Sequence, residues 1–388
     1  MTTPPAHKAL GASHDSEAPL RILHVMRAPV GGLFRHVLDL AGEQARRGHF
    51  VGLIADKNAT NALSARRLAD IEPHLRLGLS LIPMSRQPGL GDLFALRSVA
   101  KVARALDLDV LHGHGAKGGA YARLARPLLA LHGQRVRTFY TPHGGSLHYK
   151  PGTLAGTVFR LLEWVMGRMT DGLIFESAFA QDAYGRLAGT GGAPRRVIPN
   201  GLQPSDFTVT PPAADAADFL FIGELRALKG VDVLLKALAE ILGTRPVRAV
   251  FVGAGPDAEA FKTEAQRLGL GGHVTFPGAM PAANAFPLGR VLVVPSRAES
   301  FPYVVLEAGA AEKPLIATAV GGIPEIVAGT DTVLIQPSSV TELVRAMEET
   351  LEDPARAEAL ARDLRASVQR RFTVEAMTDA VLDFYRSA

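Results

Sequence analysis

Short apolar runs recur along the chain, each bounded by glycine or polar residues, and many are separated by stretches with a helical period. Leu20–Met26 (LRILHVM) reads as a buried strand. Gly31-Gly32 follows, then an amphipathic pattern from Leu33 to Arg47, then the apolar run Phe50–Ala55. Strand, glycine turn, helix and strand in that order form a parallel α/β unit, because two parallel strands need a crossover long enough to hold a helix. The same grammar continues through Leu79–Met84, Val110–His112, Val136–Tyr140, Gly172–Phe175 and Arg196–Ile198.

Gln203–Asp218 (QPSDFTVTPPAADAAD) interrupts it with three prolines, small residues and no period, and reads as a linker. The pattern then restarts. Asp218–Gly223, Val247–Gly253, Val274–Phe276, Arg290–Pro295 and Pro314–Thr318 read as strands, with helical stretches at Gly230–Leu242 and Ala258–Leu268. Two α/β sets joined by one linker predict two doubly wound, Rossmann-like domains facing each other. Open sheets of this kind bind ligands at the carboxyl ends of their strands, which puts a site in the cleft between the domains. The expected division is a disordered tail over 1–19, a first domain over 20–205 and a second over 206–372. The helical period of 373–388 marks a terminal helix that returns to complete the first domain.

Composition narrows the classes. The 388 residues are 47% hydrophobic and 21% charged, an ordinary globular balance. The absence of cysteine excludes disulfide scaffolds, iron–sulfur sites and thiol nucleophiles. No run approaches the roughly 18 apolar residues of a membrane span, and the first 20 residues lack the apolar core of a secretory signal, so a cytoplasmic protein is expected. Charge is split. Residues 1–200 carry 25 Lys and Arg against 14 Asp and Glu, a net +11, while 201–388 carry 17 against 24, a net −7. The basic half suits a phosphorylated substrate or an anionic membrane surface, or is simply solvated. No basic run or aromatic–basic interleaving points to nucleic acid.

Several segments hold candidate chemistry. Gly223-Glu-Leu-Arg226-Ala-Leu-Lys229-Gly230 follows a strand and opens a helix, where basic side chains and free amides suit a phosphate. Gly253-Ala-Gly255-Pro-Asp257 is a second glycine turn after a strand, short of a full dinucleotide fingerprint. In Pro295-Ser-Arg-Ala-Glu299-Ser300-Phe301-Pro302-Tyr303-Val-Val-Leu-Glu307, Pro302 suits a first helical turn with Ser300 as its cap. Glu299 and Glu307 would then hold two hydroxyl-bearing parts of one ligand from a loop and a helix. Ala319-Val-Gly321-Gly322-Ile-Pro324-Glu325 is another strand-to-helix turn. Gly31 and Gly32 permit close backbone approach, and His143 lies on a loop in Thr141-Pro-His143-Gly144-Gly145. Read alone, each of these segments also fits a plain turn or a structural residue. His112 and His114 have a spacing that could ligate a metal, but no carboxylate or third histidine stands nearby in sequence, so no metal site is expected. Thr157–Met169 (TVFRLLEWVMGRM) is apolar enough for a core helix or a membrane-docking one.

Taken in order, the Gly-Gly loop, TPHGG, Ile198-Pro-Asn200-Gly201, LKG, VGAGP, ESFPYVVLE and VGGIPEIV give the chain a family resemblance over about Arg21–Tyr385. It resembles the family 4 glycosyltransferases, which are retaining, use nucleotide sugars and have the GT-B fold. Within them it is most similar to bacterial enzymes of exopolysaccharide, capsule and lipopolysaccharide synthesis. The resemblance implies a transferase moving sugar from a UDP- or GDP-sugar to a saccharide or polyprenyl-diphosphate-linked acceptor. The first domain would take the acceptor, at the inner face of an anionic membrane, and the second the donor.

It also implies roles by position. Glu299 matches the carboxylate at the donor sugar, Glu307 the one at the ribose, Lys229 the lysine at the diphosphate and His143 the histidine near the sugar. Gly31 and Gly32 match the phosphate-side loop, with Ser300, Phe301 and Tyr303 bordering the donor and Gly223, Gly253 and Gly255 in its turns. No cofactor or metal is implied beyond the nucleotide sugar. Many members carry Arg where this chain has Glu224, so Arg226 is the expected substitute. A silent subunit that binds nucleotide sugar or scaffolds a synthesis complex is the alternative that this departure leaves open.

Overall fold

The computed structural model describes residues 18–60, 62–144, 154–188 and 192–388. Residues 1–17 of the expected tail, and Gly145 of the TPHGG motif, lie outside the described residues.

Two wholly parallel sheets take up the apolar runs. The first holds β1 (Arg21–Met26), β2 (Phe50–Asp56), β3 (Gly78–Ile82), β4 (Val110–His114), β5 (Arg137–Thr141), β6 (Gly172–Phe175) and β7 (Arg195–Val197), in the order 3-2-1-4-5-6-7. The second holds β8 (Ala217–Ile222), β9 (Ala249–Val252), β10 (Val274–Gly278), β11 (Gly289–Val294), β12 (Leu315–Thr318) and β13 (Leu334–Ile335), in the order 10-9-8-11-12-13. Central strands such as β1 and β4 are almost continuously buried, because helices cover both faces of a parallel sheet. Strand order reverses between β1 and β4 and between β8 and β11. Loops leave in opposite directions there and open a crevice at the carboxyl edge. The Gly31-Gly32 turn follows β1, and Gly223–Gly230 and Pro295–Pro302 follow β8 and β11. The sequence reading of two doubly wound domains across a cleft is therefore the architecture found. Among these strands only β13 was not read from the sequence, where Val333-Leu-Ile335 is too short an apolar run to mark a strand.

The proline-rich stretch is not a free tether. Pro204–Phe207 is a 3₁₀ turn whose last carbonyl accepts from Arg365 Nη2 at 2.7 Å, and Ala213 N–H donates to Pro287 O at 2.9 Å. The chain passes between domains at Leu202 and again at Thr373, which bridge each other in parallel. Beyond that bridge, the helix Val374–Ser387 buries Val374, Met377, Val381, Leu382, Phe384 and Tyr385 against Ile22, Val110, Phe139 and Ile174 of the first domain. Burying a side chain of this size is worth roughly 1.5–3 kcal/mol, which is ample to dock a terminal helix.

The helix Leu154–Gly167 is two-sided. Glu163 and Met166 are buried, while Leu161, Leu162, Trp164 and Val165 are exposed. Among the described residues no helix is long and apolar enough to cross a membrane.

Candidate active site

The two carboxyl edges enclose a cleft of about 1150 Å³. Gly31, Gly32 and His143 line it from the first domain. Gly223, Arg226, Lys229, Glu299, Ser300, Phe301 and Tyr303 line it from the second.

The second-domain wall is built from two loops locked together. After β8 the chain makes a 3₁₀ turn at Ala227–Lys229 and ends it at Gly230 in the left-handed conformation, φ +70°. A Cβ there would lie 1.9 Å from Pro295 O, so the lysine loop packs directly on the loop after β11. Arg297 braces the same junction with two bonds to Asp232 (2.7 and 2.8 Å) and one to Ala227 O (2.5 Å). Lys229 Nζ consequently reaches both oxygens of Glu299, at 2.7 and 2.8 Å, and Ser296 Oγ donates to Glu299 Oε1 at 2.7 Å. Gly321, φ +59°, closes the third side, since a Cβ would sit 1.9 Å from Glu299 O. Arg226 stands beside Glu224, Nη1 to Oε2 3.7 Å, with both side chains half-exposed on the cleft wall.

Four expected positions differ. Gly253 and Gly255 do not line the cleft. They let the turn after β9 pass close to Gly223 O and Leu225 O, where a Cβ would come within 1.8 and 2.3 Å, so they support the lysine loop from behind. Ser300 does not cap a helix. The helix Tyr303–Ala310 begins without a side-chain cap, and Ser300 Oγ is buried in the cleft wall with no partner among the described residues, as are Tyr303 Oη and Glu176 Oε2. Glu307, on the second turn of that helix, also lies off the cleft wall. Arg35 of the first domain takes its Oε1 and, with the same guanidinium, Asp206 and Asp39. Burial pushes the Glu307 carboxyl up, against the pull of Arg35. Arg35 and Arg297 were not singled out from the sequence. The available signal was polar side chains inside the otherwise apolar face of the helix Gly31–Arg46, where His36, Asp39, Glu43 and Gln44 are all buried.

His143 reaches the cleft, but both of its ring nitrogens are engaged. Nδ1 lies 2.5 Å from Glu176 Oε1 and Nε2 lies 3.1 Å from His114 Nδ1. The line continues from His114 Nε2 to His24 Nδ1 at 2.9 Å, and from His24 Nε2 to Gln44 Oε1 at 2.8 Å. Register explains the gathering: β1 pairs with β4 so that His24 stands beside His112 and Met26 beside His114. The fold thus supplies the histidines that the local sequence lacked. Candidate ligand atoms of His24, His112 and His114, and of His36, His114 and His143, come within 4.8 Å of one another. Protein groups already take the lone pairs a cation would need. His112 bonds Tyr385 Oη and Thr141 Oγ1, His36 Nδ1 bonds Asn200, and of these ring nitrogens only His36 Nε2 is without a partner among the described residues. Burial, with only partial relief from Gln44, lowers His24 to about 4. Burial and the neighbouring His143 lower His36 to about 3. Glu176, despite burial, is held below the usual carboxylate range by His143.

A second contact crosses between the domains. Both oxygens of Glu325 accept 2.8 Å bonds from Ala178 N and Phe179 N, at the start of the helix Ala178–Ala188.

Residues 30–206 match the family model for Glycosyltransferase Family 4, and residues 203–367 the model for Glycosyl transferases group 1. The chain is 35% identical to a D-inositol 3-phosphate glycosyltransferase of Segniliparus rotundus over 199 residues, 48% of this chain and 41% of that protein. The match therefore spans less than half of that relative's length. It is 27% identical to a glycogen synthase of Mycobacterium tuberculosis over 390 residues, 92% of each chain. Among solved structures it is similar in fold to Anabaena Alr3699/HepE in complex with UDP-glucose, at TM-score 0.79 and 21% identity, covering 95% of this chain and 100% of that one. It is also similar in fold to a sucrose-phosphate synthase from Thermosynechococcus elongatus, at TM-score 0.74 and 23% identity, covering 94% and 98%.

Proposed function

The chain belongs to family 4 of the glycosyltransferases, and on that premise we propose that it moves a sugar, with retention of configuration, from a UDP- or GDP-sugar to a saccharide or polyprenyl-diphosphate-linked saccharide in cell-surface polysaccharide synthesis. The observation that carries this reading is the Lys229–Glu299 pair in the interdomain cleft, fixed by Ser296 and the Gly321 contact. Glu299 would accept hydroxyls of the donor sugar. Lys229, with Arg226 at the rim, would turn to the diphosphate.

As the bond from the sugar's anomeric carbon to the phosphate oxygen breaks, its electron pair goes to the leaving nucleoside diphosphate. Once Lys229 has turned, the two cations would face the charge that grows there, and charge held against the developing anion lowers the barrier. The acceptor hydroxyl bonds to the same face of the sugar, and its proton passes to the leaving phosphate. This assigns the leaving group's charge to side chains, so transfer without a metal is part of the proposal. His143, with both nitrogens engaged, positions the cleft loop and is not assigned a proton-transfer step. Closure of the cleft would exclude water from the reactive sugar. The first domain, with its positive excess, would receive the acceptor at the cytoplasmic face of an anionic membrane.

Glu224 supports a second reading, a subunit that binds nucleotide sugar without turnover, because it sets a carboxylate beside Arg226. Purified protein is given UDP- and GDP-sugars with candidate acceptors, and release of nucleoside diphosphate is followed. We expect release with one donor, unchanged by EDTA, and a loss of at least about 100-fold in Glu299→Gln. Nucleotide binding without release by wild type under any condition would favour the silent subunit.

A further inference from the structure

Arg35 lies four residues after Gly31 on the first helix of the first domain, yet two of its guanidinium nitrogens are spent on the other side of the interface. Nη1 donates to Glu307 Oε1, Nη2 to Asp206 Oδ2, and Nε to Asp39 Oδ2 at 3.2 Å. Its plane lies over the Tyr303 ring, 4.6 Å from the centroid. The carboxylates are themselves tied down. Gln203 donates from its backbone to Asp206 Oδ2 at 2.8 Å and from its side chain to Asp39 Oδ1 at 3.3 Å. The guanidinium is thus held in one orientation by three acceptors and a ring face. A flexible ammonium could not reproduce that fork.

The consequence falls on Glu307. The terminal torsion of a free glutamate is broad, so its two oxygens have no fixed direction. Arg35 fixes one of them. Oε2 has no hydrogen-bond partner among the described residues, and the side chain keeps 17% exposure, so it is the oxygen left for a ligand. Arg35 and Glu307 belong to different domains, so this orientation exists only while the domains are together.

We propose that Arg35 is a positioning residue for donor recognition, which holds Glu307 from across the interface so that its free oxygen meets the ribose hydroxyls only in the closed molecule. The inference rests on the donor reading above, in which Glu307 takes the ribose. It adds a first-domain residue to a subsite otherwise built from the second.

The test is calorimetric binding of UDP and GDP, each with its 2′,3′-dideoxy counterpart, to wild type, Arg35→Lys, Glu307→Gln and the double variant, with melting temperatures recorded. Arg35→Lys keeps a cation beside Asp39 and Asp206. Arg35→Gln combined with Asp206→Asn removes one stranded carboxylate and serves if the lysine variant does not fold. Wild type is expected to prefer the ribonucleotide by about tenfold, the size of one charged hydrogen bond. Arg35→Lys should bind it about tenfold more weakly and lose the preference, with no further loss when Glu307→Gln is added. A folded Arg35 variant that keeps the ribose preference, or whose loss multiplies with that of Glu307→Gln, overturns the inference and leaves the donor reading standing. If neither nucleotide binds wild type, the donor reading fails and takes this inference with it.

Discussion

His24 and His36 are fully buried and neutral, and their lowered pKa values make a signed statement about stability. The unfolded chain takes up a proton on each near pH 6.5, whereas the folded chain resists until about 4 and about 3. Stability from these rings is therefore complete above about pH 6.5 and is lost as pH falls, at about 1.4 kcal/mol per unit for each. Between pH 7 and pH 5 the pair should cost about 4 kcal/mol, read as the difference between urea titrations at the two values. A difference under about 1 kcal/mol would mean that the folded protein admits the protons. His112 and His114 are pushed down for the same reason, burial first and then neighbouring rings, and act in the same direction.

At the scale of elements, the loops after β8 and β11 form one unit, and Gly230 is where they join. Gly230→Ala must leave the left-handed conformation or push Pro295 O away. Either change should lower stability by at least about 2 kcal/mol and shift Lys229 from Glu299. Thermal unfolding and nucleotide affinity should fall together, and an unchanged pair of values would show that the loops move independently. The strands themselves were legible because a parallel sheet buried on both faces leaves uninterrupted apolar runs, as in LRILHVM and RVLVVP. The lysine loop and the glutamate segment were legible because strand, glycine and helix start are local patterns. What joins them was not. Lys229 and Glu299 meet across 70 residues. His24 meets His112 through strand register, and Arg35 meets Glu307 only once two domains are placed together. Glu307 shows the limit most clearly. Its spacing from Glu299 was visible, but its partner was an arginine inside an ordinary amphipathic helix.

The whole molecule has two domains joined by a pair of adjacent crossings at Leu202 and Thr373, with Arg35 and Glu325 as contacts across the cleft. Two crossings side by side favour rotation about one axis over sliding. The first domain also presents the exposed face of the helix Leu154–Gly167, with Leu161 61% and Leu162 53% accessible beside Trp164 and Val165. Arg160 and Arg168 flank that face, and Arg168 lies 3.5 Å over Trp164. Apolar side chains ringed by cations suit an anionic lipid surface. Flotation with phosphatidylglycerol-containing vesicles should recover the protein, and recovery should fall severalfold with neutral vesicles or with Leu161→Gln/Leu162→Gln/Val165→Gln. Equal recovery from both vesicle types would remove the electrostatic part of that idea. The returning helix Val374–Ser387 has one more consequence, for birth on the ribosome. The second domain can close on itself once its helix Pro354–Arg371 and Phe372 have emerged. The first, although made earlier, must wait with Ile22, Val110 and Phe139 uncovered until the last of these residues leaves the exit tunnel. In this protein the domain that is translated first is the one that finishes folding last.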